Sequence, residues 1–127
     1  MAGKIVKNIY YHDTDSGGVV YYANYLKYFE EGRTEYLKDK GIDIKELMKE
    51  NIFFVVRHVD IDYKSKACYG DILDIFTTIT DKTKITLNFF HEVKKNKNLL
   101  TVANTQLVCV DGNFKPMAIP EKVQNNL

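Results

Sequence analysis

The chain has 127 residues, 45% of them hydrophobic and 13% aromatic, which suits a single domain over 1–127 with a real core and a size that favours oligomer formation. Its 18 basic and 17 acidic side chains leave a net charge of +1, which excludes the broad basic field that drives binding to nucleic acid or to anionic membranes. No apolar run approaches the roughly 20 residues needed to cross a bilayer, and Cys68 and Cys109 lie far apart without metal-ligand spacing, so a soluble cytoplasmic protein with reduced thiols is expected.

In chain order, Lys4 to Tyr11 mixes apolar and polar residues as a first strand does. An acidic, glycine-containing segment, Tyr11 to Gly18, follows. From Tyr22 to Lys40 the apolar positions recur at steps of three and four, with Tyr25, Tyr28, Phe29, Gly32 and Tyr36 on one stripe and Leu26, Arg33 and Leu37 beside it, which predicts a helix with broad apolar coverage. Lys38, Lys40 and Gly41 mark its end. Asp43 with Glu46 three residues on predicts a capping box opening a short helix through about Lys49.

The rest reads as strands. Ile52–Tyr63 starts with the apolar run Phe53 to Val56, expected to be deeply buried, and then alternates; Ile72–Thr80, Ile85–Val93 and Leu99–Val110 follow. Asp81 to Lys84, Lys95 to Asn98 and Asp111-Gly112 supply turns, and Pro116 and Pro120 bracket an irregular tail. Five antiparallel strands need an apolar element against one face, and only the Tyr22–Lys40 helix is long enough. The predicted fold class is α+β, a curved five-stranded sheet wrapped round one helix in the order β-α-β-β-β-β, with a short extra helix after the main one.

The candidate chemistry sits between the first strand and the helix. Asp15 precedes Gly17-Gly18, which let a ligand approach the main chain closely. If the helix begins near Tyr21 or Tyr22, its first N–H groups lack intrahelical acceptors and can hold the oxygen of a polarised carbonyl. A carboxylate opposite such donors can attack the carbonyl or deprotonate a water that does so. The same pattern also fits a solvated Asp-Gly turn whose aspartate caps the helix. Asp13 lies too close to Asp15 for both to be free carboxylates in one site, so it is expected to support the loop. His12 is a possible general acid, although strand alternation turns either it or Asp13 to solvent. His58 and His91 read as ordinary sheet-face residues, and three scattered histidines make no metal site.

The run Tyr11-His12-Asp13-Thr14-Asp15, then Gly18 to Tyr25, Phe29-Glu30 and Arg33-Thr34-Glu35, resembles the hotdog-fold acyl-CoA thioesterases of the 4-hydroxybenzoyl-CoA thioesterase type, in particular the branch associated with the bacterial Tol-Pal system. Val59 to Tyr63, Ala67 with Tyr69-Gly70-Asp71, and Ala118-Ile119-Pro120 extend the likeness over nearly the whole chain. The resemblance implies a hotdog domain that hydrolyses acyl-coenzyme A to a carboxylic acid and free coenzyme A without a metal or other cofactor. It places the nucleophile or general base on Asp15 and the carbonyl-polarising backbone N–H on Tyr22, where many members of the branch carry histidine. It also implies a homodimer extending its sheet across two subunits, with the site at their interface, and a homotetramer as a further assembly.

Gly17, Gly18, Val19 and Tyr21 beside Asp15 are the expected substrate-contacting positions, with Val19 and Tyr21 lining an acyl channel. Lys64, Lys66, Lys82 and Lys84 are candidates for the coenzyme A nucleotide, while most tyrosines of the helix are assigned to the core. Acyl carrier protein is a possible alternative carrier or partner. Two other activities fit the same fold, an acyl-thioester-binding or scaffold protein with little turnover and a 3-hydroxyacyl dehydratase, but the latter needs a histidine facing an acid.

Overall fold

The computed structural model describes residues 3–127; Met1 and Ala2, the first positions of the domain expected over 1–127, lie outside it. One antiparallel sheet contains β1 (Gly3–Asn8), β2 (Phe53–Tyr63), β3 (Ile72–Lys82), β4 (Thr86–Lys95) and β5 (Asn98–Val110), in the spatial order β1-β3-β4-β5-β2. The main helix α1 (Asn24–Asp39) and the short α2 (Ile44–Lys49) fall between β1 and β2. This is the expected α+β order; the segment between Pro116 and Pro120 is irregular as expected, and an additional short helix α3 (Glu121–Gln124) follows it.

The packing follows from two periodicities. Alternate residues of β3 and β4, namely Leu73, Ile75, Thr77, Leu87, Phe89, His91 and Val93, point to one face of the sheet and are buried. Tyr25, Tyr28, Phe29, Gly32, Tyr36 and Leu37 form the buried stripe of α1, which packs on β1 and β3. Each large side chain so enclosed contributes about 1.5–3 kcal/mol of transfer free energy.

The end of α1 is set by Gly41 at φ 78°, whose N–H donates to the Lys38 carbonyl while the Ile42 N–H donates to that of Leu37. That pair of bonds is a Schellman cap, and it aims the chain at α2. Asp43 caps α2 as expected, but its carboxylate accepts from the Lys45 N–H, so the reciprocal box with Glu46 does not form.

Three predicted features differ. β1 stops at Asn8 rather than Tyr11, because the Asp13 side chain accepts from the Tyr10 N–H and the Asp13 N–H donates to the Tyr10 carbonyl, winding Tyr11–Asp13 into a 3-10 turn. α1 begins at Asn24 rather than at Tyr21 or Tyr22, because the Asn24 N–H donates to the Tyr21 carbonyl and the Leu26 N–H to that of Ala23, which makes residues 22–23 a tight turn instead of an α-helical one. Phe53 to Val56 is not deeply buried: β2 is an edge strand, so Phe53, Phe54 and Val55 are only half-buried and Val56 is 53% exposed.

Candidate functional site

Residues 9–24 form a loop stitched at every turn. The Asp15 N–H donates to the Val19 carbonyl at 2.9 Å and the Gly18 N–H to the Asp15 carbonyl at 3.0 Å, closing a tight turn. Gly18 sits at φ 81°, a conformation closed to most side chains. Single bridges tie Thr14 to Val20 and Val19 to Cys68, and the Val20 N–H donates to the Ala67 carbonyl. The segment 67–71 is itself held to Ile9 through Ile9 N–H to Asp71 and Gly70 N–H to Ile9. The acidic segment is thereby seated against the residues that leave β2.

The two aspartates are separated in role by burial. Asp13 is 5% exposed and structural: its carboxylate holds Tyr10, and its carbonyl accepts from the Tyr21 N–H and the Asn24 side chain at 2.8 Å. His12 turns its ring to solvent. Asp15 is exposed, and one of its oxygens accepts from the Gly17 N–H at 2.8 Å. This is an Asx turn, and Asp15 does not cap α1, whose N-cap position is Ala23 with no side-chain cap. The other Asp15 oxygen has no partner among the described residues.

The helix entrance supplies the matching donors. Tyr22 lies in the turn before α1 rather than in its first turn, which corrects the expected helical placement of its N–H. Among the described residues, neither the Tyr22 nor the Ala23 N–H has an acceptor. Both stand at the positive end of the α1 dipole. The Tyr21 hydroxyl is held above the ordinary tyrosine range, first by the adjacent Tyr22 hydroxyl and last by the Asp15 carboxylate, so Asp15 lies within electrostatic reach of that ring.

A cavity of about 270 Å³ opens beside this entrance, with Val19, Tyr22, Tyr25, Tyr63, Lys64 and Lys66 among its walls. Of the predicted site residues it gathers Val19, Tyr22, Lys64 and Lys66; Asp15, Gly17, Gly18 and Tyr21 belong to the adjoining loop. Lys64 also pairs with Asp62 at 3.1 Å. Lys82 and Lys84 do not join this group. β3 starts beside Asn8 and carries Lys82 to the far end of the sheet, roughly 30 Å away, where Lys82 reaches the Gln124 carbonyl and the Lys84 carbonyl accepts from Ile119.

Two residues were missed or misread from sequence. Tyr63 ends β2, and its hydroxyl donates to the Tyr22 carbonyl at 2.8 Å across 41 positions of chain; only tertiary pairing shows this. His91 is no ordinary sheet-face residue: it is fully buried, stacked on Phe29 with centroids 4.6 Å apart, and its Nδ1 lies 3.1 Å from Thr77 Oγ1. Burial, helped by the Arg33 charge, lowers its pKa to about 3. It is a neutral core residue away from the loop.

The pattern of the thioesterase-like superfamily matches residues 10–127. The acyl-CoA thioesterase YbgC of Haemophilus influenzae is 39% identical over 118 residues, covering 91% of this chain and 87% of that one. The putative acyl-CoA thioesterase YneP of Bacillus subtilis is 34% identical over 109 residues, covering 84% and 79%. Among solved structures, a probable thioesterase from Bartonella henselae superposes with a TM-score of 0.91 at 30% identity, covering 94% of this chain and 100% of that one.

Proposed function

The chain belongs to the thioesterase-like superfamily and is a thioester hydrolase, and from that premise we propose that it cleaves acyl-coenzyme A to free acid and coenzyme A with Asp15 as its reactive carboxylate. The observation that carries this reading is that one hydrogen-bonded loop beside a cavity carries both a carboxylate oxygen and two N–H groups that have no partner among the described residues. The Tyr22 N–H polarises the thioester carbonyl and takes up the charge that develops on its oxygen. Asp15 then either deprotonates the water that attacks the carbonyl carbon, or attacks it itself to form a mixed anhydride that a water hydrolyses to the free acid and restored Asp15; in both routes the coenzyme A thiolate leaves and takes up a proton. The reading needs no metal or other cofactor.

Gly17 and Gly18 give the thioester room at the main chain, while Val19, Tyr21 and the tyrosines of the cavity contact the acyl group. Lys64 and Lys66 stand at the cavity and offer charge to the coenzyme A phosphates. Lys82 and Lys84 contribute only from a second copy, since they lie at the opposite end of the sheet. A homodimer formed along the free edge of β2 supplies such a copy, and pairs of dimers give a tetramer. No described helix is long and apolar enough to cross a membrane, and the free thiols of Cys68 and Cys109 suit the cytoplasm.

Thiol release from short, long and aromatic acyl-CoAs, measured for the wild type and for Asp15→Asn, tests the assignment. The substitution is expected to lower kcat by at least about 100-fold, as loss of an attacking or activating group does. Equal rates would remove Asp15 from the chemistry. Absence of release from every acyl-CoA and from acyl carrier protein thioesters, with binding retained, would make the protein an acyl-thioester-binding or scaffold protein instead.

A further inference from the structure

Tyr63 links the last position of β2 to the entrance of α1. Besides the 2.8 Å hydrogen bond to the Tyr22 carbonyl, its ring stands edge-on to Tyr22, with centroids 6.4 Å apart at 89°, and to Tyr25, at 5.4 Å and 71°. In a trans peptide the carbonyl and the following N–H share one plane and point to opposite sides. Holding the Tyr22 carbonyl therefore also fixes the direction of the Ala23 N–H. The preceding peptide is held in the same manner, because the Tyr21 carbonyl accepts from the Asn24 N–H at 2.9 Å, which fixes the Tyr22 N–H.

Two consecutive donors without acceptors among the described residues are thus each oriented through the carbonyl of their own peptide. One is fixed locally by the turn before the helix, the other by a side chain from a distant strand. We propose that Tyr63 is a positioning residue for the thioester reaction, its hydroxyl locking the Tyr22–Ala23 peptide so that the Ala23 N–H joins that of Tyr22 as a second donor to the substrate carbonyl oxygen. This rests on the thioesterase reading of the site. Burial, and then the neighbouring Tyr22, push the Tyr63 hydroxyl above the ordinary tyrosine range, so it keeps its proton through neutral and mildly alkaline pH.

Tyr63→Phe keeps the ring and its aromatic contacts and removes only the hydroxyl, which separates positioning from lining of the cavity. Because an oxyanion donor removed outright costs about 10²–10³ in kcat, loosening one is expected to cost about tenfold, with KM changed by less than about twofold. In amide nuclear magnetic resonance spectra of the free protein, the Ala23 signal is expected to shift and broaden, while that of Tyr22, held through the Tyr21 carbonyl, moves less. Unchanged kcat, a loss confined to KM, or an unmoved Ala23 signal would overturn the inference. The spectra read the hydroxyl's hold without turnover, so failure of the positioning role is distinguishable from failure of the catalytic assignment, which Asp15→Asn decides.

Discussion

His91 places a titratable ring where water does not reach. Thr77 Oγ1 satisfies Nδ1, while Nε2 has no partner among the described residues, and the ring stacks on Phe29 and lies near Phe89. With its pKa at about 3 in the folded protein against an ordinary 6.5, the unfolded chain binds a proton between those values that the folded chain refuses. The contribution is therefore fully present above about pH 6.5 and is lost as pH falls, by at most about 1.4 kcal/mol per pH unit. Unfolding free energies measured in denaturant between about pH 6.5 and 5, above most carboxylate titrations, are expected to fall with decreasing pH in the wild type. They should fall much less in His91→Leu. Equal slopes would show that some other group titrates.

The contact between α1 and β3 depends on an absent side chain. A Cβ built on Gly32 would lie 2.5 Å from Thr77 Oγ1, closer than real contacts allow. The residue with poor helix propensity at mid-helix is thus the one that lets the helix sit on the strand. Gly32→Ala gains helix propensity yet is expected to destabilise by about 1–3 kcal/mol, since the helix must lift or Thr77 must leave its bond to His91. Thermal melts should record a fall in Tm of roughly 5 °C or more. Adding Thr77→Ala clears the space, so the double variant should be less destabilised than the sum of the single ones. Strict additivity would disprove the clash.

At the scale of the whole molecule, the sheet has a long free edge at β2 and a groove alongside it, where Arg33, Phe54 and Val56 meet. Arg33 is only 8% exposed, and among the described residues no carboxylate forms a direct ion pair with it, although the Glu30 charge lies within electrostatic reach. A buried guanidinium left unpaired is costly, and unpaired strand edges invite pairing. Both features support the dimer proposed above, with its second copy along β2. Val56→Glu puts a charge on that exposed edge, and if the proposed dimer forms there, sedimentation equilibrium should find the wild type dimeric and the variant monomeric at the same concentration. An unaltered dimer would move the interface elsewhere.

Much of this protein is written locally in its sequence. The helical spacing from Tyr25 to Leu37, the strand alternation, Gly41 at the helix end and the Asp15-Gly18 turn depend on neighbours within a few residues, so they could be read without the fold. So could the superfamily, because its motif is contiguous. Only the tertiary structure decided that α1 starts at Asn24, that Asp13 is buried while Asp15 is exposed, and that Val56 lies on an edge. It alone parted Lys82 and Lys84 from Lys64 and Lys66, and joined Tyr63 to Tyr22. The physical reason is the same in each case: burial, edge position and hydrogen bonds between distant residues are properties of strand order and packing, which periodicity along the chain does not contain.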